Sequence, residues 1–125
     1  MARLSLTVQE PPGKYPATPL AANSADLSWT AAGAGYADGA EFTLTGRELL
    51  LVRNDNVAAQ TITISSVKDP YNRTGDITAY SLGPGEYAMF GPFPRDGWAQ
   101  ADGKLYFAAS AANVYFAVIR LPALT

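Results

Sequence analysis

The chain has 125 residues and a net charge of −2, with 48% hydrophobic and 16% charged residues; it is long enough for one domain with a real core and too apolar for a disordered tail. Its nine basic residues are scattered from Arg3 to Arg120, so no basic patch marks a nucleic-acid partner, and no apolar run approaches the length of a membrane-spanning helix. Histidine and cysteine are both absent, which removes His-dependent triads, thiolate chemistry, disulfides and almost every zinc site.

Residues 3–9 alternate, with Leu4, Leu6 and Val8 on one face and Arg3, Ser5, Thr7 and Gln9 on the other, a strand pattern. Pro11, Pro12, Pro16 and Pro19 follow within residues 10–20. Proline lacks the amide donor and fixes φ, so this stretch is neither helix nor central strand. Residues 1–24 are therefore expected to form an extended, Pro-rich N-terminal arm. Its apolar residues Leu4, Leu6, Val8 and Tyr15 need a surface to bury against, either as an ordinary irregular loop or as an arm that reaches a neighbouring subunit.

Residues 25–125 read as a single β-domain. Leu27 and Trp29 alternate within a short strand over residues 25–30, and the Ala- and Gly-rich stretch 31–39 is a loop whose Gly-x-Gly pair lacks the dinucleotide-binding spacing. Residues 40–45 alternate, with Phe42 and Leu44 inward. Residues 48–53 and 61–65 are expected to pair as a central antiparallel hairpin about the Asn54-Asp55-Asn56 turn. The continuous apolar run Leu49 to Val52 suggests a strand buried on both faces. A polar connection follows, with Asp69-Pro70 as its turn initiator. Strands are expected at 76–82 and 86–90 around Gly83-Pro84-Gly85, and at 105–109 and 114–121 as a last pair. Pro92 and Pro94 place the end of the 86–90 strand at an edge, and two Asp-Gly turns flank Trp98. Eight or nine short strands with no capped helical period predict an all-β fold, an antiparallel β-sandwich or a jelly-roll-like barrel.

The run Gly46 to Asn54, then Thr61-Ile62-Thr63-Ile64, Leu82-Gly83-Pro84-Gly85-Glu86, Gly91-Pro92-Phe93 and the closing apolar strand resembles small virion proteins of tailed bacteriophages. The resemblance covers residues 46–121. It implies a capsid decoration, or cement, protein: a β-domain on the outside of the head, made in the host cytoplasm, that bridges capsomers of the major capsid protein, often as a homotrimer. It implies no enzyme, cofactor, nucleic acid or membrane partner. A neck or tail component of similar fold is an alternative.

The residues themselves point the same way. The eleven acids sit mostly in turns such as Asp38-Gly39, Asp96-Gly97 and Asp102-Gly103, so no carboxylate pair for glycoside hydrolysis stands out and no catalytic or metal-ligating residue is assigned. An assembly protein needs instead an apolar face beyond the one its core uses. Over 114–119, Val114, Phe116 and Val118 oppose Tyr115, Ala117 and Ile119; over 86–90, Tyr87 and Met89 oppose Ala88 and Phe90. Either these strands are central in a small barrel or covered by loops, or their second faces meet a partner, with Tyr87 and Tyr115 as candidate interface residues. Trp98 either caps one end of the core, as loop tryptophans commonly do, or is the candidate platform for the other class of function, a carbohydrate-binding module for host attachment.

Overall fold

A computed structural model describes residues 3–10 and 27–121. Tyr15 and the expected boundary between residues 24 and 25 lie outside them. The strands are β1 (Leu4–Ser5), β2 (Val8–Gln9), β3 (Thr30–Ala31), β4 (Ala40–Thr43), β5 (Glu48–Asn54), β6 (Gln60–Ser65), β7 (Ile77–Leu82), β8 (Tyr87–Phe90), β9 (Lys104–Ala109) and β10 (Val114–Arg120), with one 3-10 turn at Tyr36–Asp38. They build a sandwich of two five-stranded sheets. The first runs β1-β4-β9-β6-β7; the second runs β2-β10-β5-β8, with β3 also on β10. Both sheets are open, so the barrel alternative does not form. Both are also mixed rather than purely antiparallel, because β1 joins β4 and β2 joins β10 in parallel.

The expected central hairpin does not form. β5 pairs with β8 and β10, whereas β6 pairs with β7 and β9 in the opposite sheet. The same holds for β7 with β8 and for β9 with β10. Each short connection (residues 55–59, 83–86 and 110–113) is a corner between sheets. Four or five residues at about 3.3 Å each readily cross the roughly 10 Å between packed sheets. An alternating strand looks the same in sequence whether its successor lies beside it or opposite it, so periodicity cannot distinguish the two. The only one of the expected strands to pair with its successor in the described chain is β6, with β7, through the long polar loop.

The core is what the alternation demands. Leu50 and Val52 of β5 and Val114, Phe116 and Val118 of β10 face Phe42, Ile62, Ile64, Leu105 and Phe107 of the first sheet, and all are buried. Phe107 and Phe116 meet edge to face between the sheets, with ring centroids 4.8 Å apart. The run Leu49 to Val52 is not buried on both faces: Leu50 and Val52 are buried and Leu49 and Leu51 are half-buried on the outside.

Leu4, Leu6 and Val8 are half-buried and pack on this same core. The Leu4 amide donates to the Gly39 carbonyl and the Leu6 amide to that of Glu41, so residues 3–9 cross from the first sheet to the second as two short strands. The described start of the expected arm is therefore part of the body. Gln9 also fixes the return of the chain: its Nε2 donates to the Ser28 carbonyl at 2.8 Å and its Oε1 accepts from the Ser28 amide at 2.9 Å.

Among the described residues two polar side chains are fully buried, Asn54 and Glu48. Asn54 Nδ2 donates to the carbonyls of Ala58, Leu82 and Gly83, and its Oδ1 accepts from the Asn56 amide. Its backbone amide donates to Glu86 and its carbonyl accepts from Gly85. One residue thus pins two sheet-crossing corners. At the other end of β5, Glu48 accepts from the amides of Thr45, Gly46 and Arg47, from the Thr45 hydroxyl and from Arg120 Nε. Burial alone would raise its pKa. The Thr45 hydroxyl, Arg120 and the Thr45 and Gly46 amides outweigh burial and bring it down from 4.5 to about 2.

Candidate interaction face

The two outer faces of the sandwich differ in chemistry. On the first sheet the outward residues are Glu41, Thr43, Lys104, Tyr106, Ala108, Thr61, Thr63 and Ser65, which the strand register sets side by side. Lys104 pairs with Glu41 at 2.8 Å, and the Tyr106 hydroxyl donates to Asp102 at 2.7 Å. This is a solvated sheet face, polar in alternation with a buried apolar one.

The second sheet presents three rows across its strands. Tyr87, Arg53, Tyr115 and Ala31 form one row from β8 to β3; Met89, Leu51 and Ala117 form the next; Leu49, Ile119 and Gln9 form the last. Within these rows Arg53 is the only charged residue. Tyr87 and Tyr115, the candidate interface residues of the sequence, come from separate strands, and the register brings them to one row, either side of Arg53. Tyr87 is 67% exposed and Met89 75% exposed.

Arg53 shows why the row is ordered. Its guanidinium carbon lies 4.4 Å from the Tyr115 ring centre and 5.1 Å from that of Trp29. Trp29 in turn meets Tyr87 edge to face at 5.9 Å. The indole, arriving just before β3 at one side of the sheet, thus reaches across to β5 and β8. Arg53 Nη2 pairs with Asp55 at 3.3 Å, while its Nε is buried with no hydrogen-bond partner among the described residues. Stacking between aromatic faces offsets part of that loss by cation–π attraction. Sequence reasoning missed Arg53 and the outward leucines. The signal for the leucines was present, since one face of any sandwich strand points outward and Leu49 and Leu51 share a parity opposite to Leu50 and Val52.

Trp98 sits elsewhere. It is half-buried, packs on Phe93 with centroids 4.9 Å apart, and so covers one end of the core. The residue also lines an open groove of about 230 Å³ with Asp69, Arg73, Thr74 and Asp96. The walls are braced from within. Asp69 accepts from the amides of Tyr71 and Arg73 and from Arg73 Nε; the Arg73 amide first, then the Arg73 side chain and the Tyr71 amide, hold its pKa below the ordinary value. Asp76 accepts from the Ser66 hydroxyl and amide. Trp98 is therefore far from the Tyr87–Tyr115 row in topology, on the connection between β8 and β9. Neither a family model, nor a curated protein, nor a solved structure matches this chain.

Proposed function

We propose that the chain is a non-enzymatic assembly protein that binds the outside of a tailed-phage head and stabilises it by bridging capsomers, with the outer face of the second sheet as its docking surface. The observation that carries this reading is the contrast between the two outer faces. A monomer in water keeps contiguous apolar patches small. Here one sheet has a polar outside, while the other carries the exposed Tyr87 and Met89 beside the half-buried Leu49, Leu51, Tyr115 and Ile119, around a single Arg and a buried Ala117. Aromatic residues, Met and Arg are also the types enriched at protein interfaces. The connectivity fits: β3-β10-β5-β8 against β4-β9-β6-β7 is the order of two Greek keys rolled into a jelly roll, an architecture used by viral capsid and lectin domains.

The lectin side of that comparison has its own observation, the Trp98 groove. A groove lined by Trp98, Asp96 and Thr74 has the residue types that suit a sugar ring, which has an apolar face and polar edges. One experiment separates the two readings: co-sedimentation of the purified chain with expanded phage heads stripped of outer proteins, beside a glycan panel. Saturable binding to heads, with no glycan bound, is expected. A chain that ignores heads and binds a glycan, with the binding lost in Trp98→Ala, contradicts the assembly reading.

A further inference from the structure

The two edges of the second sheet are treated differently. Along the outer edge of β10 the chain lays its own β2 and β3. Along the far edge of β8, no strand lies among the described residues. Open edges in soluble proteins are normally blunted by charge, proline or a bulge. Its neighbour across the sandwich, β7, has such a device: its register with β6 shifts between Ile62 and Ile64, and Ala79 takes a φ of 52°. β8 has none. Its four residues, Tyr-Ala-Met-Phe, carry no charge, and Pro92 lies beyond its end. Glu86, just before it, turns its carboxylate back to accept from the Gly83 amide at 2.6 Å.

The backbone of β8 is also poised. The Asn54 amide donates to the Glu86 carbonyl, and antiparallel pairs alternate between bonded and non-bonded. Ala88 and Phe90, opposite Val52 and Leu50, therefore bond to β5. The N–H and C=O groups of Tyr87 and Met89 point away from the sheet. Their side chains, the most exposed large hydrophobic ones on any described strand, point to the outer face.

We propose that β8 pairs antiparallel with the β8 of a second copy about a two-fold axis through Ala88. The sequence is self-complementary about that point. Tyr87 lies opposite the partner's Met89 and Met89 opposite the partner's Tyr87. Each pair exchanges two backbone hydrogen bonds and sets a thioether against an aromatic ring. Ala88 meets Ala88 of the partner subunit at the axis, where two methyl groups fit without a clash. The axis is perpendicular to the sheet, so both outer faces look the same way and the apolar rows run on from one copy into the next. The result is a dimer rather than the trimer that the resemblance implies, and it is independent of what the outer face docks on.

Light scattering of the full chain over a concentration series, with two variants, tests the pairing. The chain is expected to have twice its own mass. Met89→Lys places a charge on the edge and is expected to weaken self-association by roughly tenfold or more. Ala88→Cys, in a chain with no other cysteine, places two thiols at a non-bonded cross-strand pair, where Cα atoms lie about 4.5 Å apart, within reach of a disulfide. Rapid oxidation to a covalent dimer is expected, with both variants melting as folded proteins. A monomer at every concentration, a trimer, or a dimer that survives Met89→Lys while Ala88→Cys stays uncrosslinked overturns the proposal.

Discussion

Asn54 is the residue on which the corners of the sandwich converge. Its amide group is fully buried, yet it serves the carbonyls of Ala58, Leu82 and Gly83 and the amide of Asn56. Removing the donor strands the buried Leu82 carbonyl and loosens the part-buried bonds to Ala58 and Gly83, and the loss is set by the stranded group more than by the bond itself. Asn54→Ala is expected to lower stability by about 2–4 kcal/mol, read as a shift of the urea midpoint with the slope unchanged. Asn54→Asp is expected to be no milder, since a carboxylate cannot donate to three carbonyls. Gly91 is a second position with no latitude. At a φ of +110°, a Cβ there would lie 2.8 Å from the Glu48 carbonyl oxygen, so β8 leaves the sheet through a site that only glycine fills without strain. Neither role is visible in sequence. Asn54 reads as the first residue of a turn, and only the fold reveals that its side chain points inward.

At the scale of the elements, strand positions were legible and strand partners were not. The expected strand 48–53 is β5 (Glu48–Asn54), 61–65 is β6 (Gln60–Ser65), 105–109 is β9 (Lys104–Ala109) and 114–121 is β10 (Val114–Arg120). Alternation and turn residues mark these ends because both are local. Pairing is not local. The polar turns Asn54-Asp55-Asn56 and Gly83-Pro84-Gly85 suit a hairpin and a sheet-crossing corner equally, and the choice is made by the core that closes between two sheets. The run 3–9 shows a third case. Its parity puts Leu4 and Val8 against the core, but in different sheets. What fastens β5 to β10 at their far ends is Glu48 against Arg120, which the register sets opposite one another. Folded Glu48 has its pKa lowered from 4.5 to about 2, so the folded form holds the proton less tightly than the unfolded chain. Its contribution to stability is complete above pH 4.5 and is lost as pH falls toward about 2. The melting temperature of the wild type is expected to fall across that window, and that of Glu48→Gln to start lower near neutral pH and fall less. Equal acid sensitivity in the two proteins would place the titrating group elsewhere.

For the whole molecule, the two outer faces of the sandwich differ, polar on the first sheet and largely apolar on the second. That asymmetry was half legible: the sequence shows that 114–119 and 86–90 are apolar on both parities, so either a second layer or a partner must cover them. It does not show that both strands lie in the same sheet, flanking β5, or that Arg53 and Trp29 order one row of the face. Those facts follow from topology, which brings together residues far apart in the chain. Binding to a shell through this face draws on apolar burial and on repetition at symmetric positions, where weak contacts add through avidity, and it requires no catalytic cleft. The most direct measurement is head binding by two charge variants of matched chemistry. Ile119→Lys alters the apolar face, away from the β8 edge; Thr61→Lys alters the outer face of the first sheet. With both variants melting close to the wild type, Ile119→Lys is expected to lose head binding by roughly tenfold or more and Thr61→Lys to bind as the wild type does. Undiminished binding by Ile119→Lys, or loss confined to Thr61→Lys, would contradict docking through this face.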